Sequence, residues 1–384
     1  MNGPASIPAT AHDVADLLAE AARNRTRVVP VGAGTKVAWH HDPAPTAARL
    51  STLGLTDGFL HDAGDLVATL PAGMTLADAN ARLALAGQWL PLDPSSDKRS
   101  TIGGLIAANA SGPRRHRFGT PRDLIVGIEV ALTDGRVVKA GGRVVKNVAG
   151  YDLSRLFCGS HGSLGVVTSA TFKLAPIAFD SRTLVLQFPT LALALDSARA
   201  LVHSDVTPSA LELQGPDARL LVRFETTARA SAAMADAARA HVGQMASTAN
   251  IVGGDDEAAL WHEHEARLTA TEDETVVKVT TLPTRAPLIL EGLGNAPLRA
   301  ISGAAALGVL ALRFRGEASA VVSAVDALHR RVLSQQGHLS VRHAPPAVRE
   351  HLPPPPPAPA SAVMHAVKRC FDPNGVLRRV PDGR

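Results

Sequence analysis

Three stretches almost without side-chain bulk constrain this chain more than any other feature. The first, Val31-Gly32-Ala33-Gly34-Thr35-Lys36, follows a short β-branched run. The second runs from Ser100 to Gly112, where nine of thirteen residues are Gly, Ala, Ser or Thr. The third, over 142–168, sets Gly142, Gly150, Gly159, Gly162 and Gly165 ahead of Val166 and Val167. Such segments bring bare backbone to a surface, and consecutive N–H groups turned toward one point form an anion site. Each also has a plain alternative: a tight turn, a close helix–strand contact, a pair of turns before a strand. The first loop has neither the Gly-Lys-Ser/Thr ending of a phosphate loop nor the GxGxxG spacing of a dinucleotide turn. Three such stretches in one region, in this order, outweigh those separate alternatives.

The elements around them are legible from periodicity. Apolar Val14, Leu17 and Leu18 predict a helix over 12–24, and 27–31 is a strand running into the first glycine loop. A strand over 66–70 leads through a turn to Thr75, a cap for a helix over 76–86. Asp134-Gly135 between apolar runs at 125–132 and 136–139 predicts a hairpin, and 166–174 a last strand. From about 181 to 343 the texture changes. Strand at 183–188, helix at 191–202, strands at 210–213 and 220–224 and helix at 230–242 form one β-α-β-β-α unit. Strand at 276–281, helix at 285–293, strands at 298–301 and 309–314, helix at 318–333 and strand at 339–341 form a second. Two ferredoxin-like halves pairing into one antiparallel sheet are expected. The proline tract at 353–357 reads as a stiff linker.

A chain of 384 residues, 46% hydrophobic, is long enough for two domains with sizeable cores. Its 39 basic and 35 acidic residues leave +4, too even a balance for a nucleic-acid surface. Two cysteines, Cys158 and Cys370, offer no zinc or iron–sulfur spacing and fit a reduced, cytoplasmic setting. The N-terminus lacks the pattern of a signal peptide, and 300–312, broken by Ser302, Gly303 and Gly308, falls short of a membrane span.

Together the three loops resemble the FAD-binding domain of the vanillyl-alcohol oxidase/p-cresol methylhydroxylase (PCMH) superfamily. Within it, Gly112-Pro113-Arg114-Arg115, Arg122-Asp123, the run 146–156, and Gly159, Ser160, Gly162, Ser163, Leu164 and Gly165 are similar to the FAD-binding E subunits of bacterial glycolate oxidases. The likeness extends to Lys368 and Phe371-Asp372-Pro373-Asn374-Gly375-Val376-Leu377 in the tail. There the chain departs from the family, reading Arg378-Arg379-Val380-Pro381 where Asn-Pro-Gly-Arg is usual.

The resemblance implies an α+β fold: a two-subdomain PCMH-type FAD-binding domain over 1–177, a ferredoxin-like-repeat cap over 178–345, and a tail over 346–384 that returns to the first domain. It implies that Gly32, Ala33, Gly34, Thr35 and Lys36 hold the FAD pyrophosphate. Pro94, Thr101, Gly103, Gly104 and Asn109 would line the pyrophosphate–flavin region, and Gly162, Gly165, Val166 and Val167 the adenine side or ribityl chain. Covalent attachment in the superfamily commonly uses a His in the first loop; here His40 and His41 lie beyond it, so a dissociable FAD is expected. The implied activity is oxidation of glycolate to glyoxylate within a complex with the larger FAD-binding D subunit and an iron–sulfur F subunit, bound to the membrane at most peripherally. The alternative is a self-sufficient FAD oxidase or dehydrogenase of another 2-hydroxy acid or an alditol. No catalytic base stands out, and no metal site is expected. His262 and His264, two apart on a helix, point different ways and read as solvated surface. Arg114, Arg115 and Arg117 can bind a carboxylate, phosphate or acidic partner or form a solvated basic loop, and His161 and Tyr151 stay open between flavin-side and plain roles.

Overall fold

In the computed structural model, which describes residues 6–39, 47–95, 99–142, 152–294, 296–352 and 360–380, the first helix begins where the sequence supplies a cap. Thr10 Oγ1 accepts from the Asp13 N–H at 3.1 Å and the Asp13 carboxylate accepts from the Thr10 N–H at 3.0 Å, which starts the helix Ala11–Arg23. Its Val14, Ala15, Leu18 and Ala21 are buried along one stripe. Thr75 caps Leu76–Ala84 through the Asp78 N–H, and Thr101 caps Ile102–Ala108 through the Gly104 N–H.

Internal contacts divide the chain into two units. The first comprises Met1–Ser111, Gly119–Ile177 and Pro356–Arg384, and the second Gly112–Phe118 and Ala178–Pro355. The second unit thus takes 112–118 and 346–355, which the sequence assigns to the first domain and the tail.

In the first unit, β1 (Val28–Val31) and β2 (Ala48–Ser51) form a parallel pair. Next come β3 (Leu60–Asp62), β4 (Val67–Pro71), β5 (Gln88–Trp89), β6 (Ile125–Ala131), β7 (Val137–Gly141), β8 (Val166–Lys173) and β9 (Ala175–Pro176). Five of them make an antiparallel sheet in the order β3-β4-β8-β6-β7. The Asp134-Gly135 turn closes the β6–β7 hairpin, with Gly135 at φ 88° and the Leu132 N–H donating to the Arg136 carbonyl at 2.9 Å. The tail joins this unit. Phe371, ending the helix Ser361–Phe371, meets Phe157 edge-on, Val376 and Leu377 are buried with Val14 and Leu18, and the Val28 N–H donates to the Val376 carbonyl at 2.7 Å.

The second unit holds β10 (Asp180–Gln187), β11 (Ala210–Gly215), β12 (Arg219–Thr226), β13 (Thr248–Gly253), β14 (Thr275–Thr280), β15 (Leu298–Ala304), β16 (Val309–Phe314) and β17 (His338–His343). They form one antiparallel sheet in the order β13-β10-β12-β11-β15-β16-β14-β17. In each half the fourth strand lies outermost, then the first, third and second, and the halves join through β11 and β15. Alternation fixes the faces. Leu184, Leu211, Val222, Val277, Ile301 and Leu312 belong to one cluster under the helices Leu191–Val202, Ala228–Val242 and Ala318–Ser334. Their neighbours Thr183, Glu212, Arg223, Lys278, Ser302 and Arg313 take the other face.

Two of the differences from expectation lie in the second unit. β13 escapes sequence reading because it is a half-exposed edge with weak alternation. The helix expected over 285–293 breaks into a 3₁₀ turn, Ala286–Leu290 and another 3₁₀ turn, where Pro287 and a non-helical Gly292 interrupt it. Among the described residues no helix is long and apolar enough to cross a membrane.

Candidate functional site

The three small-residue stretches meet in the first unit. Gly32 abuts Thr101 so closely that a Cβ on it would stand 2.2 Å from the Thr101 hydroxyl. Gly162 lies on Pro30 of β1 and Gly159 on Asn109, with hypothetical Cβ distances of 3.4 and 3.6 Å. Polar groups tie the loops further. Lys36 Nζ donates to Ser100 Oγ at 2.8 Å and to Thr35 Oγ1 at 3.2 Å, and the His161 N–H donates to the Ala107 carbonyl at 2.8 Å. Among the described residues, the backbone N–H groups of Ala33, Gly34 and Thr35 donate to no backbone carbonyl. Gly34 (φ 75°), Gly159 (81°), His161 (53°) and Gly162 (74°) adopt the left-handed turns that aim such groups outward.

The second unit carries a polar sheet face of its own. Arg114 grips Glu225 with two donors, Nε at 2.9 Å and Nη2 at 2.7 Å. Burial pushes the Glu225 carboxyl up, but the Arg114 bonds and charge, with Arg223, outweigh it and hold the group below the usual carboxylate range. Glu257 joins Thr183 (2.6 Å), Ser181 (2.7 Å) and Arg223 (3.1 Å). His264 is buried between Glu212, 3.1 Å from Nε2, and Gln214, 2.9 Å from Nδ1. Farther along, Lys278 is flanked on its neighbouring strands by Ala311 and Ser340. Burial, and then the charges of Arg342 and Arg115, push its ammonium down to about 8. Arg342 is itself lowered to about 10 by burial. The charges of Arg342 and Arg115 make the surroundings of Lys278 electropositive.

Residues 5–141 match a protein family described as an FAD binding domain. This stretch, about a third of the chain, is similar to that domain, and the cofactor it points to is FAD. The Bacillus subtilis glycolate oxidase subunit GlcD is 34% identical over 205 residues, 53% of this chain and 44% of that protein. The D-lactate dehydrogenase of Archaeoglobus fulgidus is 34% identical over 205 residues, covering 53% and 46%. The Escherichia coli glycolate oxidase subunit GlcE is 43% identical over 117 residues, covering 30% and 33%. The chain thus spans less than half the length of these curated relatives. A solved alkyldihydroxyacetonephosphate synthase shares the mixed helix–sheet fold, with a TM-score of 0.73 at 15% identity over 98% of this chain and 75% of that one.

The residues singled out from sequence fall into two groups in the first unit. Gly32, Ala33, Gly34, Thr35, Lys36, Thr101, Gly104, Asn109 and Gly162 lie where the three loops meet. Asn109 ends the helix Ile102–Ala108 at φ 44° and accepts from the Arg122 N–H at 3.1 Å. The others serve packing. The Gly103 N–H is committed to the Ala72 carbonyl, and a Cβ there would press on Ala72 at 3.0 Å. Gly165 lies against Val130, Pro94 is buried, and Val166 and Val167 are strand residues in separate buried clusters. Residues 40–46 and 143–151, with His40, His41 and Tyr151, are outside the described residues.

Three features went unread. His264 is not surface, because its helix Gly254–Leu268 lies on the polar sheet face, whereas its neighbour His262 is exposed. Ser100, buried beside Lys36, lies just before the capping Thr101 and could have been found from that position. Lys278 had a signal: it is one of only seven lysines and interrupts the valine run 276–279 inside the strand Thr275–Thr280.

Proposed function

We propose that this chain is the FAD-binding E-type subunit of a glycolate oxidase complex, supporting oxidation of glycolate to glyoxylate while electrons pass to an iron–sulfur partner. The meeting of three small-residue loops, with the Ala33–Thr35 amides unclaimed by backbone carbonyls among the described residues, carries the flavin part of this reading. The residues fit the group: Gly32–Lys36 would take the pyrophosphate through backbone N–H groups and the Lys36 charge. Thr101, Gly104, Asn109 and Gly162 would border it. When bound, FAD supplies the two-electron acceptor for the carbon bearing the hydroxyl. The first loop contains no histidine for covalent attachment, so the cofactor is dissociable. Two cysteines are too few for an iron–sulfur cluster, and this reading assigns that centre to the partner. Likeness to GlcE supports the E assignment, and the larger D-type subunit is the expected second partner.

Likeness to a D-lactate dehydrogenase favours a second reading, in which the chain oxidises a 2-hydroxy acid by itself. One experiment serves both. The absorbance spectrum of the purified chain with added FAD is recorded before and after anaerobic glycolate. Bound flavin that stays oxidised supports the accessory subunit, bleaching supports the independent catalyst, and failure to take up FAD defeats both. Acid precipitation should leave the flavin in the supernatant; colour in the pellet would contradict dissociable binding.

A further inference from the structure

We infer that Lys368, acting with Asp372, is a positioning residue for the flavin site, through which the C-terminal tail holds two of the three loops in register. The inference rests on the flavin reading above. Lys368 Nζ donates to the Ser163 carbonyl at 2.7 Å, bridging 205 residues of sequence, and pairs with the Asp372 carboxylate. Asp372 is fully buried and accepts from the Val376 N–H at 2.9 Å and the Leu377 N–H at 2.8 Å. The turn after Phe371 is thereby closed around its own carboxylate. Val376, fixed by that turn, accepts from the Val28 N–H at 2.7 Å.

Each end of this device reaches a loop. Val28 opens β1, which runs directly into Gly32–Lys36. Ser163 follows three left-handed residues, Gly159, His161 and Gly162, in a segment that touches both Pro30 and Asn109. A loop with so many unusual dihedrals keeps its shape only when its surroundings dictate it. Lys368 supplies a charge-assisted hydrogen bond to the buried carbonyl of that loop, and Asp372 fixes where the ammonium stands. The tail motif acts on the cofactor without touching it.

The test uses the full chain and titration with FAD, read by flavin fluorescence. Lys368→Met is combined with Asp372→Asn so that no lone carboxylate is left buried. Lys368→Arg is the conservative rescue. Thr133→Val removes a different tail anchor, the 3.1 Å bond from Thr133 Oγ1 to the Phe371 carbonyl. The double variant is expected to bind FAD at least ten-fold more weakly and to exchange the amides of residues 159–165 faster. Lys368→Arg should recover most of the affinity, and Thr133→Val should lower the melting temperature with FAD affinity within two-fold of the parent. Unchanged FAD affinity in the double variant, or an equal loss in Thr133→Val, overturns the inference. If the unaltered chain takes up no FAD, the flavin reading fails separately, and hydrogen exchange decides: unchanged exchange at 159–165 in the double variant overturns the positioning role. If the double variant does not fold, Lys368→Gln alone is judged by the same two measurements.

Discussion

Gly32 and Thr101 are in contact at a distance that leaves no room for a methyl group, 2.2 Å between a Cβ on the first and the hydroxyl of the second. The same hydroxyl caps the helix Ile102–Ala108, so the first loop and the start of the second share one oxygen.

Gly32→Ala should therefore displace the cap. We expect a loss of about 1–2 kcal/mol of stability, the size of a broken N-cap, together with at least a ten-fold loss in FAD affinity. Thr101→Val removes the cap without the clash and should cost the stability but less of the affinity. Equal affinities in both variants and the parent would show that the contact is ordinary packing.

The Arg114–Glu225 pair makes a prediction about acid. Glu225 is held below its ordinary range when folded, so its contribution is present above the unfolded carboxylate range and lost as pH falls through the folded value. Arg114→Met leaves the buried carboxylate with only the more distant Arg223, at 3.7 Å, as a charged partner and should cost about 2–4 kcal/mol near neutrality. Acid unfolding should then begin at higher pH. Adding Glu225→Gln should restore much of the loss in denaturant titrations, and a double variant no more stable than Arg114→Met would refute the account.

Lys278 works in the opposite direction. Its folded value, about 8, lies below the ordinary 10.5, so between those values the unfolded chain binds more protons and stability rises with pH. Lys278→Met should be more stable than the parent at pH 7, on the order of 1–3 kcal/mol, because it no longer buries a charge. Denaturation curves at pH 7 and pH 10 should show that gap shrinking. Acetate or glycolate should stabilise the parent and not the variant if the cations hold a carboxylate.

Cys158 and Cys370 should separate in a thiol assay. Burial pushes the Cys158 thiol up to about 12, and Cys370 is exposed. One equivalent of a disulfide reagent should react in the folded chain at pH 8 and two after unfolding. Two fast equivalents in the folded state would mean that the segment around Phe157 opens.

Much of the fold was legible where local signals agree with packing. Thr75 and the Asp134-Gly135 turn mark their elements because cap and turn chemistry is local. The helix Leu191–Val202 and the strand Val309–Phe314 match expectation at both ends, since their apolar faces are continuous. The edge strand β13 and the burial of His264 were hidden, because both depend on what lies across the sheet rather than on neighbours in sequence. In the candidate site, the packing contacts of Gly103 and Gly165 were not legible, because an absent side chain looks the same whether backbone or ligand fills its place.

The division of the chain sets a limit on dissecting it. Residues 112–118 and the tail each belong to a unit other than the one beside them in sequence. A fragment ending at 177 would lack the tail that bonds Val28 and Ser163. A fragment beginning at 178 would lack Arg114 and leave Glu225 without its bidentate partner. Neither half is a module that can be lifted out, so an exchange of parts with a relative would have to carry across pieces from both sides of the cut.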